Sequence, residues 1–315
     1  MCKVVKFMYL VLILLFSLSF IGACEIETDQ PIDEMDKLQV VVSLTIFEDM
    51  VEQVGGDKVV VEALVPVGVE PEDYEPTPSD VRALEDADCF IYNGLELERC
   101  LPQMVPDMEQ KDNFHALAED EEKFDTIPLP AGAFVGEPDP HLWTNVRYGK
   151  QYAQSMASIL GKVDPDSKAY YQKRLLDYRE ELEELHSWIK QQVKNIPAKR
   201  RQLITSELCF QYFAAEYGFF HDAIWPINAP AEGTSSQIVR IVDVIEEREI
   251  PVVFLENQVD PRPMERVSRE AGVPKVGELY SDSLSEPGEG GETYTEMMRS
   301  NTSLIVSALQ EESKD

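Results

Sequence analysis

The chain has 315 residues, enough for about two domains with a buried core. It sets 59 Asp+Glu against 28 Lys+Arg, a formal charge of -31, which excludes charge-driven binding to nucleic acid or to an anionic membrane face. Hydrophobic residues at 43% and aromatics at 9% exclude a disordered chain, and no stretch after the N-terminal leader is long and apolar enough to span a bilayer.

The first residues read as an address. Lys3 and Lys6 form a basic start, Phe7–Phe20 an apolar run, and Gly22 and Ala23 a small-residue site before Cys24. Ile21-Gly22-Ala23-Cys24 resembles the lipobox of secreted lipoproteins, in which the cysteine is lipidated and becomes the new N-terminus. The alternative is an ordinary signal peptide with Cys24 near its cut. Residues 1–23 are therefore expected to be a leader, and residues 24–37 (CEIETDQPIDEMDK) an acidic tether. Cys89, Cys100 and Cys209 remain in the body, with no zinc-knuckle or CxxC spacing, and read as buried small hydrophobes.

From Leu38 onward, strand-length apolar runs alternate with helical patterns, the signature of parallel βα units. Leu38–Leu44, Val59–Val65 and Cys89–Asn93 are expected strands. Thr77-Pro78-Ser79-Asp80 has the form of a helix start, with Thr77 as cap, Pro78 in the first turn and Asp80 reaching back. After residue 198 the alternation resumes with strands at Gln202–Ser206, Ala223–Ile227, Val252–Glu256 and Lys275–Tyr280. Helices are expected near Phe210–Tyr217, Gln237–Glu247, Pro263–Ala271 and Tyr294–Leu309.

Between the halves, Tyr171, Leu175, Tyr178, Leu182, Leu185, Ile189 and Val193 recur at steps of three and four. That stripe predicts one continuous helix over 164–197, roughly 45 Å long. The expected fold class is α/β: two parallel-sheet lobes, residues 38–163 and 198–315, joined by a single rigid helix. A packed helix should hold the lobes nearly fixed.

Ligand sites in open α/β lobes lie beyond the carboxyl ends of the strands. Four segments rich in polar residues fall at such turns: Gly68–Asp80, Asp139–Trp143, Thr205–Glu207 and Tyr280–Ser283. Two precede the long helix and two follow it, so a cleft between the lobes would bring them together. Converging carboxylates with an imidazole suit a divalent metal.

Those segments carry a resemblance. GVEPEDYEPTPSD is similar to GVDPHDYEPTPSD, DPHLW to DPHxW, and ITSELCFQYFAAEYG to VTSExAFxYFxxxYG, patterns of the metal-binding lipoproteins of manganese, zinc and iron ABC importers. The likeness extends through FLENQVDPRPMERVSREAGVP, LYSDSL and GETYTEMM, and covers nearly the whole mature chain. It implies two lobes on a helical backbone, and Glu72, His141, Glu207 and Asp282 as metal ligands. Glu72 departs from the pattern, which has histidine there; it either binds directly or points to solvent while water completes the shell. Glu207 and Asp282 have a plainer alternative as helix caps.

The resemblance implies an extracytoplasmic, monomeric receptor, anchored to the membrane by lipid on Cys24 and serving a permease with its ATPase. An oxygen-rich shell favours Mn2+ or Fe2+ over Zn2+, although intrinsic affinity runs toward zinc. The histidine-rich loop common in zinc receptors is missing, since residues 106–137 contain only His115. Two alternatives stand beside this reading. A metal-dependent periplasmic hydrolase would need an open metal position and a base such as Asp73 or Glu75, and no GxSxG, HExxH or P-loop is present. A surface adhesin with a vestigial site is the other.

Overall fold

Parallel strand pairing recurs on both sides of one long helix. The computed structural model describes residues 37–100, 112–119, 123–227 and 233–310. The expected leader, Cys24 and all of the tether except Lys37 lie outside those residues.

The first lobe is a sheet of β1 (Leu38–Leu44), β2 (Val59–Val65), β3 (Cys89–Tyr92) and β4 (Phe114–Ala116), in the order β2-β1-β3-β4 and wholly parallel. The continuous run Val40–Leu44 is buried throughout, as a strand covered on both faces requires. The chain steps outward from β1 to β2 and then crosses back to β3, so the order reverses beside β1. Such a reversal opens a crevice at the carboxyl ends of the strands. Helix α1 (Thr45–Gly55) follows β1 directly, and α2 (Pro78–Asp86) begins with the expected capping box between Thr77 and Asp80.

Helix α3 (Val146–Val163) was not among the expected elements, and α4 (Lys168–Val193) is the joining helix. It has no break near Glu180, but it is shorter at both ends than the 164–197 expected. At its start the Asp164 carboxylate accepts from the Ser167 amide at 3.2 Å and the Tyr171 hydroxyl at 2.8 Å, fixing a turn instead of a helical one. At its end, bonds from Asn195 to Gln192 and from Ile196 to Val193 tighten the chain ahead of Pro197, whose ring disfavours helix in the residue before it. The expected stripe from Tyr171 to Val193 is buried, together with His186. It packs on α1 and α3 from the first lobe and, from the second, on α5 (Gln211–Tyr217) and α8 (Tyr294–Leu309).

The second lobe contains two parallel pairs, β5 (Gln202–Glu207) with β6 (Phe220–Trp225), and β7 (Val253–Glu256) with β8 (Lys275–Leu279); β5 lies beside β7. The strand expected at Ala223–Ile227 begins earlier and stops at Trp225, where Pro226 can donate nothing to the ladder. Helix α6 (Ser235–Arg248) opens on a Thr234–Gln237 capping box and α7 (Pro261–Ala271) on the Asp260 carboxylate. Cys89 and Cys209 are buried as expected, whereas Cys100 is half-buried. No described helix is long and apolar enough to cross a membrane.

One hydrophobic core runs through both lobes and the buried face of α4. Hydrogen bonds stitch the lobes together near the strand ends. Trp143 Nε1 donates to the Ser281 carbonyl at 2.7 Å, Gly68 N to Ser283 Oγ at 3.2 Å, and Leu284 N to Thr45 Oγ1 at 3.0 Å.

Candidate metal centre

Four strand-end segments supply the candidate side chains. Glu72 sits in the loop between β2 and α2, where Gly68 adopts φ 73° and its amide meets Ser283 of the other lobe. His141 precedes a short turn, Leu142–Thr144. Asp139 holds it from below: one carboxylate oxygen accepts the His141 amide at 3.0 Å and lies 2.6 Å from Nδ1. Glu207 ends β5, and the Glu256 carboxylate at the end of β7 accepts the amides of Ser206 and Glu207 at 2.8 and 2.9 Å. Asp282 follows β8; Ser281 Oγ lies 3.3 Å from Oδ2, and Gln258 Nε2 donates to the same oxygen.

These side chains converge. Single ligand atoms of Glu72, His141 and Glu207 all lie within 4.8 Å of one another. Asp282 Oδ1 is 3.4 Å from His141 Nε2, and Glu207 Oε1 is 3.7 Å from it. All four residues are buried, Glu72 at 6% exposure and His141 and Glu207 at 0%. Both Glu72 oxygens, His141 Nε2 and Asp282 Oδ1 are shielded from water without a hydrogen-bond partner. Leaving such atoms unmade is costly, about 1–3 kcal/mol per group and more when charged, so an arrangement that aims several at one point is built for something placed there.

The electrostatics carry the same message. Burial, then the neighbouring Asp282, pushes the Glu72 carboxyl up to about 8, with His141 opposing. Burial, Glu72 and Asp282 together raise Glu207 well above the ordinary carboxylate range, and burial raises Asp282 against the pull of His141. Burial disfavours charge on His141, yet Asp139 and Asp282 outweigh it and lift the imidazole to about 9. Three acids sharing a dry pocket thus hold protons that a divalent cation would displace.

The remaining histidines serve elsewhere. His221 on β6 pairs with Thr205 Oγ1 at 2.8 Å, His186 on α4 with the Tyr217 hydroxyl at 3.1 Å, and His115 lies on β4. Asp73 and Glu75, the bases a hydrolase would have used, are exposed. Cys209 precedes α5, not within it, and its thiol contacts the Glu207 carbonyl at 3.6 Å. The sequence reading assigned no role to Asp139, Gln211, Glu256 or Gln258. Gln211 Nε2 donates to the second oxygen of Asp139 at 2.9 Å, and the Tyr212 hydroxyl to the Asp139 carbonyl at 2.7 Å. Asp139 was discoverable from its place two residues before His141; Glu256 and Gln258 stand in the ENQ string after a buried strand but reveal their partners only in three dimensions.

Residues 40–308 match the family model ZnuA, zinc-uptake complex component A, periplasmic. The chain belongs to this family. It is 36% identical over 316 residues to the manganese ABC transporter substrate-binding lipoprotein PsaA of Streptococcus pneumoniae, covering 98% of this chain and 99% of that one. It is also 36% identical over 290 residues to the manganese-binding lipoprotein MntA of Halalkalibacterium halodurans, covering 92% and 94%. Among solved structures, the periplasmic zinc-binding protein TroA of Treponema pallidum superposes with a TM-score of 0.79 at 26% identity, covering 87% of this chain and all of that one. These relatives are named as substrate-binding proteins of transporters or as metal-binding proteins, and the fold of TroA is the fold found here.

Proposed function

We propose that this protein is an extracytoplasmic receptor that captures a divalent transition metal and delivers it to an ABC permease powered by its ATPase. Glu72, His141, Glu207 and Asp282 are the proposed ligands, and Cys24 the proposed site of lipid anchoring. The observation that carries the reading is the convergence of buried, unpartnered oxygen and nitrogen atoms at one point between the lobes. The manganese- and zinc-binding relatives support the class of cargo.

Each residue has a distinct task. His141 offers Nε2 to the ion because Asp139 engages Nδ1, the arrangement that fixes tautomer and ring orientation in metal-binding histidines. Glu207 and Asp282 bring two carboxylates from the second lobe on backbone held by Glu256 and Asn301. Glu72 closes the shell from the first lobe. Three hard oxygen ligands to one nitrogen favour Mn2+ or Fe2+ as cargo over Zn2+, which prefers sites richer in nitrogen and sulfur. The work is binding and release, and we read the protein as a carrier instead of an enzyme.

Metal analysis of protein purified without added metal, followed by competition among manganese, iron(II) and zinc, tests this. One ion per chain, lost in His141→Ala, is the expected result. A chain that binds no divalent ion, or binds it equally well without His141, would refute the proposal.

A further inference from the structure

His141 is held at a second place, apart from the grip of Asp139. With φ -82° and ψ 45° it is the middle residue of an inverse γ-turn, closed by the Leu142 amide donating to the Pro140 carbonyl at 2.9 Å. The same carbonyl accepts from Asn93 Nδ2 at 3.0 Å. Asn93 is fully buried and directly follows β3, beside the reversal in strand order.

The side chain of Asn93 has no bond to spare. Its oxygen accepts from the Tyr152 hydroxyl of α3 at 2.7 Å, and its two amide protons go to the carbonyls of Pro140 and Gly94, each at 3.0 Å. Only one orientation of the amide satisfies all three, because a flipped group would set its oxygen against two carbonyls. The backbone is gripped as well: the buried Glu98 carboxylate accepts the amides of Asn93 and Gly94 at 2.7 and 3.1 Å. That grip closes a bend in which Gly94, Leu95 and Glu96 take φ 83°, 55° and 61°. Residues with a side chain seldom enter this left-handed region, and where they do the surroundings over-determine it, often at functional sites. His141 Nε2 stands 3.4 Å from Asp282 and 3.7 Å from Glu207 of the other lobe, so even a small shift of the turn changes the spacing an ion would meet.

We propose that Asn93 is a positioning residue for the metal centre: it places the turn that carries His141, whereas Asp139 orients the ring. Glu98 acts one step further back by holding Asn93. The inference rests on the receptor reading, since Asn93 works only through His141.

Manganese titration and the visible absorption of cobalt(II)-loaded protein, both on the intact chain, test this. The cobalt bands report the geometry of the donor atoms, which a general loss of stability does not move. Asn93→Ala should weaken manganese binding about 10- to 100-fold and displace the cobalt bands. Ile245→Ala, a truncation in the apolar cluster under α6, should lower the unfolding temperature through the cavity it leaves. It should keep manganese affinity within about twofold and the cobalt bands in place. Asn93→Ser, whose hydroxyl is too short to reach Pro140, is read in the same way and stands in for Asn93→Ala should that chain not fold. Asn93 variants that match Ile245→Ala in affinity and spectrum would overturn the inference while the receptor reading stands. A wild-type chain that binds neither ion, or one whose binding survives His141→Ala, would overturn the receptor reading and this inference with it.

Discussion

His141 and Glu72 belong to the same lobe and face the same point, yet they are held in opposite ways. His141 is gripped through its amide and its Nδ1 by Asp139, which is itself fastened to Gln211 and Tyr212 of the other lobe. Neither oxygen of Glu72 has a hydrogen bond, although the residue is buried. One proposed ligand is oriented by protein, and the other waits for its partner. The difference bears on the proposed shell, whose four residues need not be four equal arms: the imidazole would set the position of an ion, and the Glu72 carboxylate its preference.

The largest expected effect follows directly. His141→Ala should cost about a thousandfold in manganese affinity, roughly 4 kcal/mol, while Glu72→Ala should cost about tenfold. Calorimetric titrations of both variants decide it, and equal losses would break the contrast. Next comes Asp139→Asn, which keeps the shape but surrenders the charge that orients the ring; about 10- to 100-fold weaker binding is expected. If Asp139→Asn binds like the wild type, the imidazole is not held by that carboxylate.

Glu72→His sharpens the comparison from the other side. It adds a nitrogen donor and removes a negative charge, so the zinc-to-manganese affinity ratio should rise by about tenfold. An unchanged ratio in a competition titration would mean that Glu72 does not touch the ion.

The smallest effect concerns pH. Burial, helped by Asp282, pushes Glu72 up to about 8, and burial pushes Glu256 up to about 7. Each carboxyl holds in the folded chain a proton that the unfolded chain releases near its ordinary value of 4.5. Their contribution to stability is therefore complete at low pH and lost as pH rises through the raised values. His141, lifted to about 9 by Asp139 and Asp282 against the effect of burial, acts in the same direction. His221, driven down to about 3 by burial and His141, has the opposite sign and costs stability as pH falls below its ordinary 6.5. Metal-free protein should thus melt at a lower temperature at pH 8 than at pH 6.5, with the slope reduced in Glu72→Gln. Manganese affinity should rise over the same interval, because its ligands must shed protons.

Much of this was legible in the sequence where the signal is repetitive. The α4 stripe announced itself because seven large side chains share one face, and the capping box at Thr77 because its residues are adjacent. Helix α3 was missed although Val146, Tyr152, Met156, Ile159 and Leu160 are buried at helical spacing, because Gly149, Ala153, Ala157 and Gly161 between them dilute the contrast between inside and outside. Strand β4, three residues long, is too short to show a period. The four candidate ligands came from motifs and their order at strand ends. Of the residues that hold them, Asp139 stands two before His141 in the same motif, whereas Gln211 meets Asp139, and Glu256 meets Glu207, across separations in sequence that no local pattern encodes.

One ion is proposed to sit among these four side chains. Anomalous diffraction at the manganese edge, from crystals of the loaded protein, tests it most directly. One peak per chain is expected, with Glu72, His141, Glu207 and Asp282 each placing a donor atom at roughly 2.0–2.3 Å. A peak away from these residues, or one bound by three of them with the Glu72 carboxylate turned aside, would contradict it.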